Sequence, residues 1–417
     1  MRVSKLAKIG FHGMLCVLML YRGDLSAQKQ LNFGLTRKQP TETLPKGKTP
    51  VQWPVEKPRS GEIGKATPLG NSTYSLNSGW ELTDNMTNLL GPVSAFEEAI
   101  NSAGWYDAVV PGTVLTSLVA DGVFPDPYFG LNNLSITDSL CRKDWWYRTT
   151  FESPQENSGK LAWLCFNGIN YKARIWLNGK YLGDIKGAFT RGIFKVTDYL
   201  KAQGRNVLLV QIMPPNNPGI PEEQSALSGM GKNGGQLTLD GPTFFATEGW
   251  DWIPGIRDRN MGMWQDVHLY YTGSITTADP QVITDLPLPD TSSASVSLRT
   301  NLVNNSSAIQ DAKIDFSFEG VSIQKKVKLA PGQVLPLTLS PEDYAELTIK
   351  NPRLWWPNGY GLPNLYHATI KVTDKNGFEE IKQFRFGIRE YSYEMMADTG
   401  ESKAIRFAYS PTDIKVD

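Results

Sequence analysis

Ala173-Arg174-Ile175-Trp176-Leu177-Asn178-Gly179-Lys180-Tyr181-Leu182-Gly183-Asp184 reads as two short β-prone runs around an Asn-Gly pair. That pair is the strongest short-range hairpin signal, because a two-residue type I′ turn needs φ > 0 at both central positions. The spacing therefore predicts strands over 173–177 and 180–184. Working outward, Trp145–Phe151 alternates as a half-buried strand should, Leu161–Phe166 is a short apolar run, and Arg205–Met213 supplies a further strand. Val267–Tyr271 reads as a strand that closes this unit, with Gly273 ending it. One helix is expected at Thr113–Ala120, after Pro111-Gly112, where Leu115, Leu118 and Val119 share a face and Gly122 stops it.

Past residue 276 the pattern repeats without helices. Val296–Asn301, Ala312–Phe318, Val321–Leu329, Val334–Leu339, Tyr366–Val372 and Glu379–Phe386 are short runs separated by turns, among them Lys375-Asn376-Gly377. Evenly spaced short strands over such a length predict an immunoglobulin-like sandwich, here without a Cys-Trp-Cys core. Composition agrees with an all-β chain: aromatics make up 11% of 417 residues, with 38 Gly and 27 Pro.

Lys plus Arg and Asp plus Glu stand at 42 each, so no net charge favours nucleic acid or an anionic membrane. Neutral partners are expected. Residues 1–27 carry Arg2, Lys5 and Lys8, an apolar run from Ile9 to Leu20 and then Leu25-Ser26-Ala27, the layout of a signal peptide. The chain is accordingly expected to be exported, to the periplasm or outside the cell, and to leave the membrane once the signal is removed; a retained anchor is the alternative. Residues 28–69, rich in Pro, Lys and Thr, read as a leader to the first domain, flexible or laid over its surface. Outside the signal the cysteines are Cys141 and Cys165. An oxidising compartment would allow them to bridge, whereas the apolar run around Cys165 favours a small buried thiol. Neither has metal-ligand spacing, and no metal or cofactor is expected.

The segment with chemical character is Glu248–Trp264. It holds Trp250, Asp251 and Trp252, an acid bracketed by two indoles, followed by Arg257-Asp258-Arg259. Flat apolar faces beside one hydrogen-bond acceptor suit a sugar ring. The plainer reading is that Asp251 pairs with Arg257 or Arg259 to hold a loop, and that one indole is core. Residues 214–247, rich in Pro, Gly and Asn, would form one rim with it. Trp355-Trp356 and Trp145-Trp146 read as packing residues, and Asp144 as a cap or a partner for Arg148.

In order along the chain stand Val110-Pro-Gly-Thr113, Asp121-Gly-Val-Phe-Pro-Asp-Pro-Tyr128, Asp144-Trp-Trp-Tyr-Arg148, and Phe166-Asn-Gly-Ile-Asn-Tyr171 running into Trp176-Leu-Asn-Gly179. Gly249-Trp-Asp-Trp-Ile-Pro254, Asp258-Arg-Asn-Met-Gly-Met-Trp264, Asn351-Pro-Arg-Leu-Trp-Trp-Pro-Asn-Gly-Tyr360 and Phe386-Gly-Ile-Arg389 follow. The ordered set resembles the N-terminal half of glycoside hydrolase family 2, in its exo-β-glucosaminidase and β-mannosidase-like branch. The resemblance implies a jelly-roll sugar-binding sandwich over 70–275, an immunoglobulin-like β-sandwich over 276–392, and the start of a linker to a (β/α)8 barrel at 393–417. It also implies a β-linked oligosaccharide or glycoside as partner, with Asp251 hydrogen-bonding the terminal sugar and Trp250 or Trp252 offering a stacking face.

In the family the barrel holds both catalytic glutamates. A barrel needs at least about 200 residues, and 28 follow Arg389. The family's acid/base lies in an Asn-Glu pair, a dipeptide this sequence lacks. Retaining cleavage needs two carboxyls roughly 5–5.5 Å apart, whereas Glu222-Glu223 and Glu379-Glu380 are neighbours that extended backbone points apart. The expectation is a chain inactive alone, truncated or separately encoded from its catalytic barrel. A stand-alone carbohydrate-binding or scaffold protein is the alternative.

Overall fold

The structure, a computed structural model, describes residues 54, 60–84, 104–130, 132–155, 159–221, 235–236 and 255–391. The signal segment, most of the leader, Glu222-Glu223, Trp250, Asp251, Trp252 and the tail after 391 lie outside the described residues. Two compact units are distinguished, one of residues 1–68, 74–154 and 164–269, the other of 69–73, 155–163 and 270–417.

In chain order the elements of the first half are β1 (Thr67–Gly70), β2 (Thr73–Ser75), β3 (Trp80–Thr83), β4 (Tyr106–Ala108), α1 (Val114–Ala120) and α2 (Asn132–Ser135). A 3-10 turn (Asp138–Arg142) leads into β5 (Trp145–Glu152), β6 (Leu161–Phe166), β7 (Lys172–Leu177), β8 (Lys180–Lys186), β9 (Gly192–Lys195) and β10 (Arg205–Met213). The minimal pair β11 (Ile220–Pro221) and β12 (Gly235–Gln236) and the closing β13 (Val267–Thr272) complete it. One sheet runs β1-β2-β13-β6-β9, the other β4-β3-β5-β10-β7-β8.

The Asn-Gly hairpin forms where it is expected. Asn178 takes φ 51° and Gly179 φ 77°, so β7 and β8 pair through Leu177↔Lys180 and Trp176↔Tyr181, with a register shift between Ile175 and Trp176. Asn178 also fixes the turn from its side chain, donating to the Tyr199 carbonyl at 2.8 Å and accepting from Val207 N at 2.9 Å. On the six-stranded sheet, period-2 alternation buries Tyr147 and Phe151 of β5, Leu208, Val210 and Ile212 of β10, and Ala173, Ile175 and Leu177 of β7. Each such aliphatic or aromatic side chain contributes about 1.5–3 kcal/mol when fully removed from water.

Helix α1 starts through a capping box: Thr113 accepts from Thr116 N at 3.3 Å, and the Thr116 hydroxyl accepts from Thr113 N at 2.6 Å. Of the expected leader, residues 54 and 60–69 are described. Gly64 donates to the Thr150 carbonyl at 2.8 Å and bridges Phe151. A Cβ there would stand 2.5 Å from the Thr149 hydroxyl, so this segment is laid against β5 through backbone rather than side chains. Cys141 and Cys165 are both buried and form no disulfide, and burial pushes the Cys141 thiol up to about 11.

The second half is built from β14 (Ile275–Asp285), β15 (Ser293–Asn304), β16 (Gln310–Phe318), β17 (Val321–Leu329), β18 (Val334–Leu339), β19 (Thr348–Lys350), β20 (Tyr366–Asp374) and β21 (Glu379–Phe386). One four-stranded sheet runs β14-β15-β18, with β19 also on β15, and the other β17-β16-β20-β21. Their inward residues form one core, including Val296, Leu298, Ile314, Phe316, Phe318, Ile370, Val372 and Phe386. Edge strand β14 was not expected from the sequence. It contains Pro280, tolerated because the register breaks between Ala278 and Gln281 and Asp279 takes φ 45°, a bulge at a sheet edge.

Candidate functional site

Residues Gly255–Trp264, the described part of the Trp- and Arg-rich segment, have no regular structure and are held from four directions. Asn170 and Gly262 exchange backbone hydrogen bonds of 2.9 and 3.1 Å. The Asn170 amide donates to the carbonyls of Arg259 and Asn260, both at 3.0 Å. Backbone bonds from Gly112 to Met263 and from Val114 to Met261 tie the segment to the start of α1. Gly262 is required there: a Cβ would come within 2.4 Å of the Gly112 carbonyl oxygen.

Asp258 is buried and acts as a staple. Its Oδ2 accepts from Leu115 N in the first turn of α1 at 2.7 Å, and its Oδ1 from Asn260 N at 2.9 Å. Burial raises its pKa, opposed by the bonds from Thr113, Leu115 and Asn260. The neighbouring Tyr147 phenol is likewise pushed up, first by burial and then by Asp258. Arg259 is fully buried and donates to the carbonyls of Pro218 at 2.6 Å and Gly219 at 3.2 Å, while its Nη2 lies 2.9 Å from Asp138 Oδ1. Arg257 donates to the Asn133 carbonyl at 3.0 Å, and the Asn133 amide donates to Gly255 O at 3.1 Å. The described acid opposite Arg259 is thus Asp138; Asp251, Trp250 and Trp252 lie outside the described residues.

The loops fixed around this segment present aromatic rings to solvent. Tyr128 is 91% and Phe129 64% exposed, on the loop that Asn132 and Asn133 pin down. Phe189, 65% exposed, stands edge-on to Trp264 at 5.7 Å, and the Trp264 indole donates to Ala188 O at 2.8 Å. None of the three was singled out from sequence. Their signal is one or two aromatics between turn formers, Pro127-Tyr128-Phe129-Gly130 and Gly187-Ala188-Phe189-Thr190, which carries no periodicity.

Other sequence candidates resolve as packing. Trp145 and Trp146 are buried. Asp144 does not pair with Arg148: it accepts from Gln211 Nε2 at 2.6 Å, while Arg148 Nε reaches Glu81 at 2.6 Å, because β3 and not the strand start lies beside Arg148. Trp355 and Trp356 are half-buried, Trp355 beneath the Arg389 guanidinium at 5.2 Å and Trp356 against Gly361. Glu379 pairs with Lys371 at 3.1 Å in solvent, while Glu380 turns inward to Thr277 N and Oγ1, both at 2.6 Å. The two point apart as extended backbone dictates. Among the described residues no group of three or more His, Cys, Asp or Glu side chains is placed to hold a metal ion.

Two antiparallel sandwiches follow one another along the chain, the first with exposed aromatic rings on its loops, and define an all-β protein. Residues 82–265 match the glycosyl hydrolase 2 galactose-binding domain-like family model, and residues 275–389 match the glycosyl hydrolases family 2 model. The chain belongs to glycoside hydrolase family 2. It is 33% identical over 352 residues to a mannosylglycoprotein endo-β-mannosidase of Lilium longiflorum, covering 78% of this chain and 35% of that one. It is 28% identical to an exo-β-D-glucosaminidase of Streptomyces avermitilis, covering 81% and 34%. Among solved structures, the exo-chitosanase of Amycolatopsis orientalis shares the fold at TM-score 0.58 and 21% identity, covering 76% of this chain and 34% of that one. The β-D-mannosidase of Dictyoglomus thermophilum does so at TM-score 0.55 and 25% identity, covering 78% and 37%. The chain spans about a third of the length of the curated relatives it matches.

Proposed function

We propose that these 417 residues are the sugar-facing, non-catalytic part of an exported glycoside hydrolase acting on β-linked glycosides. The observation that carries this reading is the pair of family matches, in family order over 82–389, to relatives that are mannosidases and glucosaminidases. In this reading Asp251 hydrogen-bonds the terminal sugar, Trp250 or Trp252 offers a stacking face, and the segment from Gly255 to Trp264 is the rigid footing that aims them. Rigidity there has a physical basis: Arg259, Asp258 and Asn170 are each at most 1% exposed, and all three are anchored to other loops. The paired carboxylates that retaining hydrolysis needs come from polypeptide beyond these residues, and the N-terminal 27 residues direct export.

Pure protein of residues 1–417, offered nitrophenyl β-glucosaminide and β-mannoside, is expected to release no nitrophenol above buffer. Turnover that co-purifies with the protein contradicts the non-catalytic reading. Export is checked by sequencing the N-terminus of protein recovered outside the cytoplasm, where a start near residue 28 is expected and retention inside the cell contradicts it.

A further inference from the structure

We propose that Asn358, in the loop between β19 and β20, is a site of spontaneous deamidation, the fastest of the four Asn-Gly pairs among the described residues. Asn-Gly occurs at 167, 178, 233, 358 and 376, and Asn233 lies outside the described residues. Sequence makes the five alike, because glycine has no Cβ to shield its nitrogen or restrict the backbone. Hydroxide takes the proton from the glycine nitrogen, which attacks the asparagine side-chain carbonyl carbon. A carbon–nitrogen bond closes a five-membered succinimide, and the bond to Nδ2 breaks, releasing ammonia with a proton drawn from water. Water then adds to one ring carbonyl, and the ring opens to aspartate or isoaspartate. Water is the one co-reactant, and nothing is oxidised or reduced.

Three requirements separate the pairs: a side-chain amide free to swing onto the next nitrogen, a glycine N–H not already donated, and access for hydroxide and water. Asn358 meets them. Pro357–Tyr360 is a β-turn closed by Tyr360 N donating to Pro357 O at 3.1 Å, with Gly359 at φ 86°, as a type II turn requires at its third residue. Asn358, Gly359 and Tyr360 are exposed, and a Cβ on Gly359 would meet nothing within 4 Å. Among the described residues neither the Asn358 side-chain amide nor Gly359 N makes a hydrogen bond.

The other pairs are each held. The Asn178 amide donates to the Tyr199 carbonyl and to Asn206 Oδ1, both at 2.8 Å, and its Oδ1 accepts from Val207 N at 2.9 Å. Reaching Gly179 N means giving up all three bonds, which raises the barrier. Asn376 is exposed, but Gly377 N already donates to Asp374 O at 3.0 Å, and Asp374 Oδ1 accepts from Asn376 N and Phe378 N at 2.9 and 3.1 Å. Taking the Gly377 proton would break a hydrogen bond and set a negative nitrogen beside a carboxylate. Next to Asn167, Gly168 is buried under the Trp264 indole, whose Nε1 a Cβ would meet at 2.7 Å, while Asn167 Oδ1 accepts from the Cys165 thiol at 3.4 Å. At Asn358 both products bring a negative charge to an uncharged turn. Isoaspartate also lengthens the backbone inside the loop that Trp356 N closes by donating to Leu362 O at 3.1 Å. Neither family membership nor sugar binding enters this chemistry.

The test holds the whole 417-residue chain in mildly alkaline buffer, folded and, in parallel, unfolded in guanidinium chloride. Mass spectrometry with electron-based fragmentation, which separates aspartate from isoaspartate, follows each Asn-Gly peptide over time. Unfolded, the pairs at 167, 178, 358 and 376 are expected to deamidate at comparable rates. Folded, Asn358 is expected to react at least about tenfold faster than each of the other three. Its rate is expected to rise with pH, as loss of the glycine proton requires. Asn358→Gln, whose longer side chain would have to close a six-membered ring, is expected to abolish the product at that peptide. A smaller margin over any of the three in the folded chain overturns the proposal. So does a preference for Asn358 that persists after unfolding, since it would then lie in the local sequence and not in the fold. Product that survives in Asn358→Gln would place the modification on another residue and overturns it too.

Discussion

The hairpin at 172–186 and the irregular segment at 255–264 each carry two glycines and at least one aromatic ring, and they are built on opposite principles. The hairpin gets its conformation from within: two turn residues with φ > 0, two strands that alternate, and an aromatic pair across them. The 255–264 segment gets its conformation from elsewhere. Beyond the local bonds of Asp258 to Asn260 and of Arg259 to Ile256, its carbonyls, its acid and its two arginines are satisfied by Asn170, Leu115, Asn133, Pro218 and Asp138, the nearest of them some forty residues away in sequence. A locally coded element leaves its outer side chains free to vary, whereas a segment held by distant partners fixes nearly every residue it contains.

Breaking the distant anchors should therefore cost most. Arg259→Met removes a buried cation that serves three loop carbonyls and Asp138, and is expected to destabilise the protein by about 3 kcal/mol. That is the lower end of what breaking a buried ion pair costs, since Asp138 remains partly hydrated, and the carbonyl of Ile256 loses its donor along with those of Pro218 and Gly219. Urea unfolding would check it, and a loss indistinguishable from that of an exposed substitution would mean the segment is not held by Arg259. In the hairpin the comparable change is Gly179→Ala. It forces a Cβ into a φ of 77° and is expected to cost about 1–2 kcal/mol, confined to the β7–β8 turn in hydrogen exchange.

This contrast also explains what was legible in the sequence. β17, β18, β21, β6 and β10 fall at the residues their periodicity predicts, because a strand's signal lies within its own span. β14 was missed because Pro280 and the bulge at Asp279 interrupt its alternation. β3 and β4 were missed because runs of four and three residues carry too little pattern. Around the rim, sequence pointed to Arg257 and Arg259 as structural cations but not to Asp138 or Asn133 as their partners, since nothing in the chain's order joins 138 to 259. Asp144 shows the same limit: its neighbour in sequence, Arg148, turned out to belong to Glu81. Tyr128 entered only as the end of a motif, and Phe129 and Phe189 not at all, because exposed rings in a turn resemble other loop residues.

The smallest effect concerns β13, which follows the segment directly. His268 is half-buried there, and burial lowers its pKa below 6.5, opposed by Asp266. The unfolded chain then takes up the proton first, so this contribution to stability is complete above about pH 7 and is lost as pH falls through about 6.5 toward the folded value. Urea midpoints at about pH 8 and pH 5.5 should differ less in His268→Gln than in the parent. An unchanged difference would place the acid sensitivity elsewhere, for instance at carboxylates.

The central claim is that these residues position a sugar without holding the nucleophile that attacks it. Retaining family members pass through a covalent glycosyl-enzyme, which a fluorinated β-glycoside with a good leaving group traps on the nucleophilic carboxylate. Intact-mass spectrometry of the pure chain after such treatment, with fluoro-mannoside and fluoro-glucoside reagents in turn, tests the claim most directly. The mass is predicted to stay that of the unmodified polypeptide. A stoichiometric adduct of one glycosyl group, blocked by competing substrate, would show a competent nucleophile within these 417 residues and contradict the account.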